Sequence, residues 1–178
     1  MKKWLVIAFL LAAAFQPLSY AADSKDELQV VSRVDLNRYM GKWYEIARLP
    51  NSFQKKCAAA VTATYSLLSD GKVSVLNECL QASGKSKSAK GKAKVADMAT
   101  NAKLRVTFFW PFYGDYWILD LGPDYEYAVV GEPKRKYCWI LSRTPQMDES
   151  LYEELIAGIA KQGYDTGAFI RTPSELNR

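Results

Sequence analysis

Gly41-Lys42-Trp43-Tyr44-Glu45-Ile46-Ala47-Arg48 is the stretch on which the fold turns. It places a glycine one residue before a large indole, at the head of a run with strand character. Asp35-Leu36-Asn37-Arg38-Tyr39-Met40, just upstream, reads as a short helical turn. Gly41 lets the chain bend from that turn into the strand, because without a Cβ it reaches dihedrals closed to other residues. Trp43 is then the first inward-pointing residue and closes one end of whatever the strands enclose. Taken alone, it is an ordinary sheet-core tryptophan. Its partners further along the chain decide its role.

From Lys42 to Ser142 the chain reads as a train of short strands, at 42–49, 60–68, 72–80, 85–96, 102–110, 115–121, 125–131 and 137–143. Turn formers such as Ser69-Asp70-Gly71 separate them. Alternation is plainest where Val61, Ala63, Tyr65 and Leu67 interleave with Thr62, Thr64 and Ser66. Leu104, Val106, Phe108 and Trp110 interleave in the same way with Arg105, Thr107 and Phe109. Eight sequential strands with short links predict an all-β fold, an eight-stranded antiparallel up-and-down β-barrel. Closing the sheet removes its exposed edges. One C-terminal α-helix follows. Asp148 caps it, Gly163 ends it, and Leu151, Tyr152, Leu155, Ile156 and Ile159 form a stripe that packs on the outside of the barrel.

The first residues read as a leader: Lys2-Lys3, then an apolar run from Trp4 to Phe15, then Ser19-Tyr20-Ala21 in a small-x-small cleavage pattern. The expected division is a signal peptide at 1–21 and a single domain at 22–178. Without Lys2 and Lys3 the chain keeps 22 basic against 19 acidic residues, a net charge near +3 that favours no polyanion. The expected product is exported and periplasmic. The first cysteine is Cys57, so a lipoprotein anchor is not expected and any outer-membrane association is peripheral. Histidine is absent, which removes the commonest general base and the commonest zinc ligand. Three cysteines do not make a tetrahedral metal cluster, so neither metal nor cofactor is expected. Residues 83–94 are rich in lysine. Lys90, Lys92 and Lys94 share one strand face, which reads as a solvated edge guard with anionic headgroups as a second use. Interleaved aromatics are missing there, so no nucleic-acid partner is expected.

In an up-and-down barrel, turns alternate between the two ends. If Gly41 and Trp43 lie at one end, Asp124-Tyr125 after the sixth strand and Arg143 after the eighth return to it. An arginine over an indole gains cation–π attraction while its fork meets nearby carbonyls. That end reads as closed by Trp43, Tyr125 and Arg143. The other end collects Pro50-Asn51-Ser52-Phe53, Gln81-Ala82-Ser83-Gly84, Trp110-Pro111-Phe112-Tyr113-Gly114 and Glu132-Pro133-Lys134-Arg135-Lys136. Aromatics and basic residues there describe a mouth that admits an amphipathic molecule.

Gly41-Lys42-Trp43, Asp124-Tyr125 and Arg143 resemble the three-motif signature of the lipocalins. The stretches 43–48, 61–67, 111–114 and 139–145 are similar in particular to the bacterial outer-membrane (Blc) group, itself akin to apolipoprotein D and the plant temperature-induced lipocalins. The second motif here is Gly122-Pro123-Asp124-Tyr125, with no threonine before Asp-Tyr, and the lipoprotein cysteine of the Blc group is missing. The resemblance implies a calyx that binds a fatty acid, a lysophospholipid or a similar apolar ligand. Alternation independently turns Val61, Tyr65, Val75, Asn77, Phe108, Trp110, Tyr116, Ile118, Trp139 and Leu141 inward as candidate ligand contacts, with Tyr113 joining them at the mouth. An eight-stranded barrel has room for one small ligand when these residues are not all large. Asn77 and the tyrosines are expected to meet a polar headgroup near the mouth. For Asn77 a cross-strand pairing role competes equally with this.

The same parity brings Cys57 and Cys79 together near the mouth, as a disulfide in an oxidising compartment. Cys138 reads as a buried free thiol. No residue is assigned a catalytic role. A lipid-modifying enzyme on the same scaffold and a module that binds membrane or itself remain the competing function classes. The expected assembly is a monomer or a weak homodimer.

Overall fold

The computed structural model describes residues 27–176. The leader expected at 1–21 lies outside them. Eight strands form the barrel: β1 (Gly41–Arg48), β2 (Ala59–Leu67), β3 (Val73–Leu80), β4 (Ser86–Val95), β5 (Lys103–Phe109), β6 (Phe112–Leu121), β7 (Tyr127–Gly131) and β8 (Cys138–Ser142). Each strand pairs antiparallel with the next, and β1 closes the cylinder by pairing with both β8 and β2. The short helix α1 (Leu36–Tyr39) precedes β1. The outer helix α2 (Glu149–Lys161) is capped by Asp148, whose side chain accepts from Ser150 and Leu151 N–H groups. Gly163 follows α2 at φ +84°, a left-handed stop that suits glycine.

Two apolar clusters result. Val73, Val75, Leu104, Ile118, Val130 and Leu141 pack inside the barrel with Trp43 and Tyr65. Leu155 and Ile159 of α2 pack on the outer face, against Ile46, Leu119, Val129, Cys138 and Ile140. The helical stripe and the outward-facing halves of four strands thus share one interface. Leu28 and Tyr164 extend it.

Three features depart from the expectation. First, β6 begins at Phe112 rather than at 115. Phe109 pairs with Phe112, so Trp110-Pro111 is a two-residue turn and not part of a five-residue loop. A register shift between Val106 and Phe109 breaks the alternation there, and Trp110, predicted to point inward, is 83% exposed at the hairpin tip. Tyr113 lies on the outer face, beneath Lys94 and Arg105, whose charged groups sit 5.0 and 5.6 Å from its ring.

Second, β1 carries a bulge: Glu45 pairs with Leu141 but Ala47 with Ile140, leaving Ile46 as an extra residue. An extra residue shifts the period-two phase by one. Ile46 and Ala47 therefore both face α2, and Glu45 and Arg48 fall on the same inner side. Third, a ninth strand, β9 (Ile170–Arg171), pairs with Ala47 and Arg48. Direct β1–β2 pairing runs only from Gly41 to Tyr44. Beyond it the C-terminal segment fills the seam, with Thr172 N–H donating to Ile46 O at 2.9 Å and Ala60 N–H donating to Pro173 O at 2.8 Å. Arg171 also forms an ion pair with Glu149 and stacks on Tyr152, so the segment clasps α2 as well.

Candidate functional site, a calyx with a sealed floor

The floor is built from α1, the start of β1 and the end of β8. Trp43 is fully buried, and its indole N–H donates to Tyr39 O at 2.9 Å. The Arg143 guanidinium lies 3.9 Å from the Trp43 ring centroid. Its three nitrogens donate to Tyr125 O, Lys42 O and Arg38 O at 3.2, 3.0 and 2.7 Å. Burial lowers the Arg143 pKa only from a very high starting value, so the charge persists. Gly41 has φ +96°, and a Cβ there would stand 3.2 Å from an Arg143 nitrogen. Both facts require glycine at this position. Parity thus located Trp43, Tyr125 and Arg143 correctly. Asp124, at the same end, is solvent-exposed and makes a long ion pair of 3.8 Å with Arg38.

Sequence reasoning missed two further floor residues. Arg38 stacks on Tyr125, 4.2 Å from its centroid, and Tyr125 hydroxyl accepts from Asp35 N–H at 2.8 Å. Tyr39 packs on Trp43 with ring centroids 5.0 Å apart. The preceding segment completes the seal: Val34 is fully buried, and its N–H donates to Thr100 O at 2.7 Å. The Asp35–Met40 turn was legible as a helix, but nothing in its spacing announced that Tyr39 enters the barrel.

Above the floor the lining is apolar. Val75, Ile118 and Leu141 are buried in the inner cluster, and Phe108, Tyr116 and Trp139 pack on it while keeping some solvent access. Gly91 makes room for Phe108: a Cβ there would approach two Phe108 ring carbons to 2.9 Å and Thr107 O to 2.7 Å. Asn77 faces inward between Ala63 and Ala89, and its Oδ1 is buried without a partner among the described residues. Val61 is buried but belongs to neither core cluster. Tyr65 and Tyr116, expected near the mouth, sit instead deep in the barrel with Tyr39, their hydroxyls 2.8 and 3.0 Å apart in a chain through Tyr116. Burial raises the pKa of all three, that of Tyr65 to about 12. They stay neutral at physiological pH.

The mouth carries a polar network. Glu45 accepts from Arg48 at 2.8 Å, from Thr172 at 2.6 Å and from Gln54 at 2.6 Å. Gln54 Oε1 in turn accepts from the Trp139 indole at 3.0 Å. Gln54 thereby ties the β1–β2 loop to the inner wall. Phe53, Tyr137 and Trp139 form an aromatic group beside it, with centroids 5.4 to 6.2 Å apart. The disulfide Cys57–Cys79 staples the same loop to β3. Closing a ring of this length stabilises by roughly 3 kcal/mol through the unfolded state. Cys138 is a free, fully buried thiol, and burial pushes its pKa far up, so it is no nucleophile. Among the described residues no group of three His, Cys, Asp or Glu is placed to hold a metal.

A barrel sealed by a tryptophan under an arginine is a fold with known relatives. Residues 34–174 match the family model for a lipocalin-like domain. The chain is 43% identical over 157 residues to temperature-induced lipocalin-1 of Arabidopsis thaliana, covering 84% of each chain. It is 39% identical over 164 residues to the outer membrane lipoprotein Blc of Escherichia coli K12, covering 92% of this chain and 89% of that one. Among solved structures, insecticyanin from the tobacco hornworm Manduca sexta superposes with a TM-score of 0.66 at 22% identity, covering 85% of each chain. The match over nearly the whole domain and the floor geometry agree: the chain belongs to the lipocalins, a family that binds small hydrophobic ligands.

Proposed function

We propose that this protein takes up the hydrocarbon tail of a fatty acid, lysophospholipid or similar amphipathic lipid and carries or stores it, without chemistry of its own. The observation that carries this reading is the apolar lumen above a sealed floor. Its inward-facing Val106, Phe108, Tyr116 and Trp139 retain solvent access, and Ala89, inward on β4, is exposed. Each methylene buried there is worth about 0.8 kcal/mol. Affinity for saturated fatty acids should therefore rise about fourfold per added methylene until the lumen is full, then level off. Quenching of tryptophan fluorescence on titration, with native mass spectrometry of the purified protein, measures this. No chain-length dependence and no retained lipid would overturn the reading. The Blc relatives are outer membrane lipoproteins by name, which supports an exported protein working on envelope lipids.

A second reading adds to this one: the mouth docks on membrane. Phe109, Trp110 and Phe112 are 80%, 83% and 78% exposed at one hairpin tip. Trp110 shares a shallow outer hollow with Lys90 and Lys92. Aromatic residues beside lysines suit an anionic lipid–water interface. Replacing Trp110 and Phe112 together by serine should abolish flotation with phosphatidylglycerol vesicles while fatty-acid affinity stays unchanged. Flotation equal to that of the unmodified protein would exclude the tip.

A further inference from the structure

The three tyrosine hydroxyls at the bottom of the barrel carry more protons than they have mutual contacts. Tyr116 Oη lies 2.8 Å from Tyr39 Oη and 3.0 Å from Tyr65 Oη. No other described group hydrogen-bonds to any of the three. A phenol brings one proton and two acceptor lone pairs. Two contacts therefore use two of three protons, and one is left over.

Burial says which. Tyr39 and Tyr65 are 3% and 8% exposed, and Tyr116 is the sole partner of each hydroxyl among the described residues. A buried donor left unpaired is costly. Both therefore donate to Tyr116, whose oxygen is then filled by two donors. Its own proton must leave the group: all three hydroxyls are buried, and Tyr116 is the least enclosed residue of the three. A hydroxyl that accepts two hydrogen bonds is polarised into a stronger donor.

We propose that Tyr116 is a deep hydrogen-bond-donor subsite that takes a neutral acceptor oxygen at the leading end of an otherwise apolar ligand. This deepens the lipid-binding reading and rests on it. The oxygen must be neutral, because beside Tyr116 the described residues offer a carboxylate no free counter-charge; Lys87, on the inner face of β4, stands opposite Cys79 toward the mouth. Arg143 lies behind the Trp43 ring with all three nitrogens engaged by carbonyls, and Arg48 is paired with Glu45. A buried, uncompensated carboxylate is strongly disfavoured. A free fatty acid accordingly descends tail first and gains nothing from Tyr116. A long-chain alcohol, aldehyde or ketone descends oxygen first, and so does an acyl chain oxygenated at its far end.

Methyl undecyl ketone and tridecane form the discriminating pair of probes, each measured by displacement of a fluorescent fatty acid. Tyr116→Phe should weaken the ketone about fivefold, the worth of one ordinary hydrogen bond. Its effect on tridecane and dodecanoic acid should be smaller than on the ketone. The infrared carbonyl band of the bound ketone supplies the second readout. It should be shifted down in the unmodified protein, return to its alkane-solvent position in Tyr116→Phe, and keep part of the shift in Tyr39→Phe/Tyr65→Phe. Asn77→Leu should leave the band where it is. A band that keeps its full shift in Tyr116→Phe, or loses it in Asn77→Leu, overturns the subsite while lipid binding stands. Failure of all three probes to bind overturns the lipid-binding reading itself.

Discussion

Replacing Glu45 by alanine is expected to destabilise the protein by about 3–5 kcal/mol, as breaking a buried ion pair does. Glu45 and Arg48 side chains are 4% and 11% exposed, and they meet at 2.8 Å. The carboxylate also accepts from Thr172 and Gln54, so its removal takes the acceptor from both and leaves Arg48 only the Thr172 hydroxyl, at 3.2 Å. The Arg48 Nε is already buried without a partner among the described residues. For a domain of this size the loss corresponds to a fall in Tm on the order of 10 °C, read by circular dichroism. The C-terminal clasp should loosen with it, because Thr172 holds β9 to the carboxylate, and trypsin should then cut after Arg171. The companion test is Glu45→Leu with Arg48→Met. It removes both charges and should recover most of the stability, since an apolar pair of similar volume has no desolvation penalty. A single alanine variant within 1 kcal/mol of the parent, a margin typical of solvated pairs, would show that water already screens this one.

Trp43→Ala is expected to cost about 3–5 kcal/mol, the usual range for removing a large, fully buried aromatic. Trp43 is 0% exposed, and it is held from both sides, by the Tyr39 ring and by the Arg143 guanidinium. The loss should exceed simple cavity formation, because the guanidinium loses its aromatic face while still bridging three carbonyls. Arg143→Lys should also be damaging, by about 1–3 kcal/mol, although it keeps the charge. An ammonium cannot satisfy three divergent carbonyls and lie flat on an indole at once. Urea unfolding of Trp43→Phe, Arg143→Lys and the double variant would isolate the coupling between the two. A coupling near zero would mean that the floor is held by the carbonyl contacts alone.

Much of this was readable in advance. Strand alternation and turn spacing located the eight strands, and counting turns put Arg143 on Trp43 and Cys57 beside Cys79, as found. Parity works because hairpin connections leave the chain no choice of end. The stripe on α2 was equally plain, since a three-to-four-residue apolar period has few other uses. The lining was less legible. Val75, Ile118 and Leu141 lie in the inner cluster, whereas Trp110 and Tyr113 are outside it.

The sequence by itself determined the eight barrel strands, their antiparallel order, the sealed end and the outer helix, because each follows from a local period or from counting connections. Only the tertiary structure decided the phase of the side chains after each bulge, the clasp of β9 across the β1–β2 seam, and the meeting of Tyr39 with Tyr65 and Tyr116. A bulge adds one residue wherever twist and packing favour it, and no local motif marks the spot. The clasp and the tyrosine trio join residues more than fifty positions apart, and such partners are chosen by the shape of the closed barrel, not by any neighbouring residue.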